Sequence, residues 1–188
     1  MIINKSKKLS LVQGFWLCIS ILLFTGFIYE ILHSDDNIFT LARPLGVIMF
    51  LSGSLNLIVC YIKSDTLCGS RWLVADGLTA VLLSFFPLFN QVIYPIMIPF
   101  FFGFWELFSG ILKVMDSNEL KKENIKCWTG FAIIGYTELV SGTFSMIKPI
   151  DEVVGVNSVI GIIFFIQSMG FLLKTIMYKY LTIKKSES

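Results

Sequence analysis

Six apolar runs, each near the length of a membrane-spanning helix, take up most of this chain. A transmembrane helix needs about 20 consecutive apolar residues. Only 15% of the residues are charged, whereas soluble domains carry roughly a quarter. The sequence therefore predicts an all-α integral membrane protein with six transmembrane helices and excludes a soluble one. The runs lie near residues 10–32, 38–62, 72–89, 92–113, 127–147 and 153–176.

The distribution of positive charge predicts how these helices are oriented. If the N-terminus is cytoplasmic, all but Arg43 and Lys148 of the 15 lysine and arginine residues fall on the cytoplasmic side. Cytoplasmic loops of membrane proteins carry such an excess. Both termini are therefore predicted to be cytoplasmic, with Lys113 and Lys174 among the residues at the cytoplasmic face. The predicted location is the inner (plasma) membrane, and membrane lipids are the expected partners.

Tryptophan recurs at a fixed interval, since Trp16, Trp72 and Trp128 are 56 residues apart. A constant period of this kind indicates repeated supersecondary units. We predict a single membrane domain, residues 1–188, built from three helical hairpins. Short outer connections make the two helices of each hairpin antiparallel neighbours. The three tryptophans are predicted to be interface anchors, with the indole N–H in water at the headgroup level. The hairpins cover about 10–63, 66–120 and 122–180.

Six glycines are predicted to serve helix packing. Two pairs of them are seven residues apart, so the members of each pair share one helix face. Small residues on one face let membrane helices approach closely, either within one chain or between the chains of a homo-oligomer. The six are Gly46, Gly53, Gly103, Gly110, Gly135 and Gly142.

Two segments share the pattern Gly-x-x-Glu-Leu-x-Ser-Gly, at 103–110 and 135–142. Their acids, Glu106 and Glu138, are predicted to project from glycine-lined faces into the helix bundle, and Asp76 is a shallower candidate. An acid at membrane depth costs about 2.5 kcal/mol or more and marks a functional site by default. No lysine or arginine is expected deep enough to pair with Glu138. The three acids form a candidate intramembrane site, either for a proton or solute or as hydrogen-bonding groups that hold the helices together.

Other chemistry finds no support in the sequence. The four cysteines match no zinc-binding spacing, and the single histidine, His33, is predicted on the outer side. No nucleophile and base are paired, and no basic patch suits a nucleic acid. The chain is therefore predicted to be no enzyme and to bind no metal, cofactor or nucleic acid.

The order Arg71-Trp72, Gly77, Pro87, then 103–106 (Gly-Phe-Trp-Glu) and 110–111 (Gly-Ile) resembles the bacterial HdeD-type acid-resistance membrane proteins. The resemblance covers essentially the whole chain and is best over 71–113. It implies a six-helix inner-membrane protein of repeated hairpins that supports survival of dense cultures in strong acid. It implies no reaction and no binding residues.

Two functions follow as hypotheses. The first is a non-enzymatic stress-response protein of the HdeD type, acting in acid resistance. The alternative is a small proton-coupled transporter or channel that uses Glu106 and Glu138. The apolar spans are expected to lack the broad polar stripe of a water-filled path, which favours the first hypothesis.

Overall fold

The computed structural model describes the backbone of residues 2–32, 38–63, 70–89, 97–125, 127–147 and 156–187, and the side chains of 13–32, 43–61, 73–89, 97–125, 127–147 and 158–177. Over these residues the chain forms six α-helices. They are α1 (Ile2–Leu32), α2 (Ile38–Lys63), α3 (Ser70–Phe89), α4 (Met97–Lys122), α5 (Trp128–Ser145) and α6 (Val156–Glu187).

The predicted all-α class is confirmed, and four of the helices contain segments long and apolar enough to cross a membrane. These segments are Gln13–Leu32, Arg43–Tyr61, Met97–Lys122 and Ser158–Met177. In α3 the apolar segment Leu73–Phe89 is shorter.

Helix α4 extends well beyond its predicted end near residue 113. The polar segment that follows was predicted to be a linker, but it is helical as far as Lys122. Ser117 and Leu120 are buried there, so the inward face of α4 continues past the apolar run. Asn124, with a φ of 55°, follows the last turn, and asparagine tolerates this left-handed conformation better than most residues.

Three helix pairs make the most extensive contacts: α2 with α3, α4 with α5, and α1 with α6. The helices within each predicted hairpin contact each other less. The closest packing therefore lies between hairpins rather than within them, which differs from the expected arrangement. The physical reason is the position of the small residues, which face the neighbouring hairpin.

Glycines bring α4 and α5 together at two points. A Cβ atom on Gly110 would lie 2.8 Å from the carbonyl oxygen of Gly135, and one on Gly103 would lie 2.9 Å from that of Gly142. Because the first glycine of one segment meets the last of the other, the two Gly-x-x-Glu-Leu-x-Ser-Gly segments pack antiparallel. Any larger residue at these positions would push the backbones apart.

The α2–α3 pair is built in the same way. A Cβ atom on Gly53 would lie 2.7 Å from the carbonyl oxygen of Gly77, and one on Gly46 would lie 3.0 Å from the Pro87 ring. All six glycines predicted to serve packing thus lie at these two helix crossings.

Two serines take the place of the glycines where α6 crosses α1. Ser20 Oγ donates to the carbonyl oxygen of Ser168 at 2.9 Å, and Ser168 Oγ donates to that of Ser20 at 2.8 Å. The three crossings repeat at intervals of 57 and 58 residues, and α6 returns to α1 to complete a closed ring of pairs. The crossings are Gly53 with Gly77, Gly110 with Gly135, and Ser168 with Ser20.

The outward faces of α3 and α5 are apolar, although these two helices lie outside the four spans above. Large exposed side chains on α3 are Val74, Leu78, Leu82, Phe85, Phe86 and Phe89, and those on α5 are Ile133, Tyr136, Val140 and Phe144. The described bundle thus presents an apolar surface on these helices as well.

Candidate functional site

An ion pair joins α4 to α5 inside the bundle. Lys113 Nζ donates to Glu138 Oε1, and the two residues are 3% and 0% exposed. The same ammonium donates to Ser109 Oγ at 2.7 Å and to Gln167 Oε1 at 3.3 Å. Oxygen atoms from α4, α5 and α6 therefore surround it.

The expectation that no lysine or arginine reaches Glu138 is wrong. Lys113 lies at the predicted end of the fourth span, but α4 continues for a further nine residues. Lys113 is four residues beyond Ser109, so both point inward from one helix face. Its side chain therefore enters the bundle.

A second ion pair joins α3 to α6. Lys174 Nζ donates to Asp76 Oδ2 at 2.8 Å, and both side chains are buried. Asn56 Nδ2 donates to the same oxygen at 3.1 Å, and Trp16 Nε1 donates to Asn56 Oδ1 at 3.2 Å. Lys174, like Lys113, is thus buried between helices.

Trp16 is not the interfacial anchor that was expected. It is 1% exposed, and its N–H binds Asn56 rather than water. With intervals of 57 and 58 residues, Trp16 corresponds to Leu73 and Phe131, both also buried. Trp128 is half-buried, with Lys121 Nζ 4.7 Å from its ring centroid.

The third predicted anchor, Trp72, lies in α3, but its side chain falls outside the described residues.

Gly170 makes room for the Lys113–Glu138 pair. A Cβ atom on this glycine would lie 2.8 Å from Lys113 Cε and 3.4 Å from Glu138 Oε1. Gly170 shares a face of α6 with Gln167 and Lys174, since three and four residues separate them. One face of α6 thus contacts both ion pairs, and Asp76 also interacts electrostatically with Lys113. The two pairs form one polar network to which all six helices contribute.

Glu106 occupies the same place in its segment as Glu138 does, but it lacks a comparable hydrogen-bond partner. It is 0% exposed, and no described residue hydrogen-bonds either carboxyl oxygen at normal geometry. Ser141 is close enough to interact with it, yet the Ser141 hydroxyl donates to the carbonyl oxygen of Thr137 at 3.0 Å. Glu106 also interacts electrostatically with Glu138.

Helix α4 carries a buried polar stripe, contrary to the expectation for the spans. Glu106, Ser109, Lys113 and Ser117 are all buried and recur at three or four residues. Asp116 is partly buried beside them and interacts electrostatically with Lys174. The objection that the sequence raised against a polar path therefore does not hold for this helix.

The sequence held a signal for the residues that were missed. Lys113 is seven residues after Glu106, and Lys174 is seven after Gln167, so each shares a helix face with a polar residue two turns earlier. A search of helix faces, instead of positions along the chain, would have placed both lysines in the bundle.

The chain matches no family model, no curated protein and no solved structure. Among the described residues, no group of three or more potential ligands could hold a metal ion. The fold and the site define a class, a helical bundle with four helices long and apolar enough to cross a membrane and with buried acid–lysine pairs. The similarity to the HdeD type stays a prediction from sequence.

Proposed function

We propose that the chain is a non-enzymatic, multi-pass protein of the bacterial inner (plasma) membrane with six spans and both termini in the cytoplasm. The four long apolar helices support this directly. The apolar outward faces of α3 and α5 support two further crossings. The antiparallel crossings also agree with helices that alternate in direction along the chain.

The function that the site supports best is proton-coupled transport, by a small carrier or channel. The observation that carries this proposal is the Lys113–Glu138 ion pair beside the buried Glu106. Burying an ion costs several kcal/mol even in favourable surroundings, whereas the glycine crossings already pack the helices. Ionisable groups inside a membrane bundle commonly form proton relays or ion pathways.

Transport is tested by the flux of protons into liposomes that contain the purified protein and a pH-sensitive dye. We expect the wild type to dissipate an imposed pH gradient and Glu138→Gln to lose most of that flux. Glu123→Gln is the matched control, because it neutralises an exposed acid outside the bundle. Wild-type flux no greater than that of empty liposomes would rule transport out.

Acid resistance without transport is the second candidate, and the resemblance over 71–113 favours it. Under this proposal the bundle protects the membrane, and the acids hold the helices together. A strain lacking the gene would be exposed to strong acid after complementation with the wild type or with Glu106→Gln plus Glu138→Gln, at equal membrane abundance. Rescue by both forms, together with zero flux, would favour this candidate over transport.

A further inference from the structure

We propose that the oxygen atoms around the Lys113 ammonium form a binding site for a monovalent metal cation, Na⁺ or K⁺, and that Lys113 is its tethered competitor. The proposal rests on the transport function above and names the substrate class of the same site. The cation would enter as the lysine side chain withdraws, and one proton would leave the network in exchange.

The first argument is the chemistry of the surrounding atoms. Ser109 Oγ, Glu138 Oε1 and Gln167 Oε1 all accept hydrogen bonds from Lys113 Nζ. Hydroxyl, carboxylate and amide oxygens are also the atoms that coordinate hard metal cations. These oxygens come from three different helices, so the bundle itself has already brought cation ligands together.

The second argument is an excess of acceptors. An ammonium has three N–H groups, and Lys113 uses them on the three oxygens above. Both carboxyl oxygens of Glu106 and Glu138 Oε2 have no hydrogen-bond partner among the described residues, although both acids are 0% exposed. Buried polar atoms are rarely left in that state. The site thus holds more carboxyl oxygen atoms than the lysine can satisfy.

The third argument is the fit of α6 against the lysine. Gly170 packs so closely on the Lys113 side chain that an added methyl group would lie 2.8 Å from Cε and 3.1 Å from Nζ. The glycine thus lets the ammonium reach the three oxygen atoms, and a larger residue would displace it. The Lys113 side chain is long and flexible, so its ammonium can leave the oxygen atoms without a backbone movement.

Charge balance then sets how many protons leave for each metal cation that enters. Replacing the ammonium by a metal cation while the charged lysine stays in the bundle would add one buried positive charge, which is costly. The balance is restored when one proton leaves the polar network for solvent. One cation enters for each proton that leaves. The charged groups that interact with Lys113 are Asp76 on α3, Glu138 on α5, and Glu106 and Asp116 on its own helix. Lys174 on α6 interacts with Asp76, Asp116 and Glu138 of the same network.

The test is chemical rescue of Lys113→Ala, which removes the tethered ammonium and leaves its acceptors in place. Thermal unfolding of the detergent-solubilised protein would be followed in NaCl, KCl and choline chloride at equal ionic strength. We expect Na⁺ or K⁺ to raise the Tm of this variant by roughly 5–10 °C at a hundredfold excess over its Kd. The wild type, Lys122→Ala and Lys113→Ala with Glu138→Gln should show no such response.

A second variant tests the site if Lys113→Ala fails to fold. Gly170→Ala keeps every ligand but crowds the ammonium, so we expect the Tm of this variant to rise in Na⁺ or K⁺ relative to choline. Equal Tm values in all three salts, for whichever variants fold, would overturn the cation site. If proton flux still depended on Glu138, the proposed transport function would stand without it.

Discussion

Glu106 and Glu138 hold matching positions in two antiparallel segments, but only Glu138 forms an ion pair with a lysine. We expect Glu138→Gln to lower the free energy of unfolding by about 3–5 kcal/mol, because Lys113 is left buried without its counter-charge. Glu106→Gln should change it little, since no cation is paired with that acid. The measurement is denaturant unfolding in detergent.

The matched control for this pair is Glu138→Gln combined with Lys113→Met. Removing both charges should recover much of the lost stability, because no uncompensated ion remains in the bundle. Similar losses for Glu106→Gln and Glu138→Gln would contradict the asymmetry that the ion pair creates.

Trp16 and Trp128 offer a second comparison at this scale. Trp16→Phe removes the N–H that binds Asn56 Oδ1, and leaving that buried acceptor unpaired should cost about 1–3 kcal/mol. Trp128→Phe changes a half-buried ring, so its cost should be clearly smaller. Unfolding measurements in detergent compare the two variants. Equal costs would mean that both indoles serve the same interfacial role.

At the residue scale, the sequence predicted the acids of the site but not their partners. Glu106, Glu138 and Asp76 were recognised because an acid inside an apolar run is unusual. Lys113 and Lys174 were assigned to the cytoplasmic face because the positive-inside rule uses only the position of each lysine along the chain. Which way a lysine points depends on the helix face and on the true end of the helix, and the polar segment after Lys113 hid that end.

At the scale of helices, the crossing of α4 with α5 is the contact most sensitive to size. A methyl group at Gly110 would lie 2.8 Å from the backbone of Gly135, so Gly110→Ala should cost about 1–3 kcal/mol through overpacking. Gly14→Ala is the control, because nothing lies within 4 Å of an added Cβ atom there. The measurement is thermal unfolding of both variants. If Gly110→Ala were as stable as Gly14→Ala, the close approach of α4 and α5 would be refuted.

Glycine spacing allowed the packing faces to be predicted, but not the helices that meet across them. Gly53 and Gly110 lie seven residues after Gly46 and Gly103, which identifies a face on α2 and on α4. Each hairpin and its neighbour carry similar small residues, so the pattern suits either partner. The choice is made by side-chain fit at the crossing, as where Gly46 meets Pro87.

At the scale of the whole molecule, the contact of α6 with α1 is expected within one chain. In a domain-swapped oligomer, α6 would instead pack on α1 of another chain. Ser20 Oγ and Ser168 Oγ are 3.2 Å apart, so cysteines at both positions should form a disulfide under mild oxidation. In a background without the four native cysteines, we expect a cross-linked monomer on non-reducing gels. Cross-linked dimers would indicate that α6 pairs with α1 of another chain.

The ring of helix pairs also sets the order in which the pairs can form during translation. Helix α1 is synthesised first, but its main partner, α6, leaves the ribosome last, after more than a hundred intervening residues. At about 5–20 residues per second, α1 waits for its partner for many seconds while the α2–α3 and α4–α5 pairs assemble. The ion pair between Asp76 and Lys174 must wait as well. Until translation reaches α6, the nascent protein therefore holds an acid whose counter-charge has not yet been made.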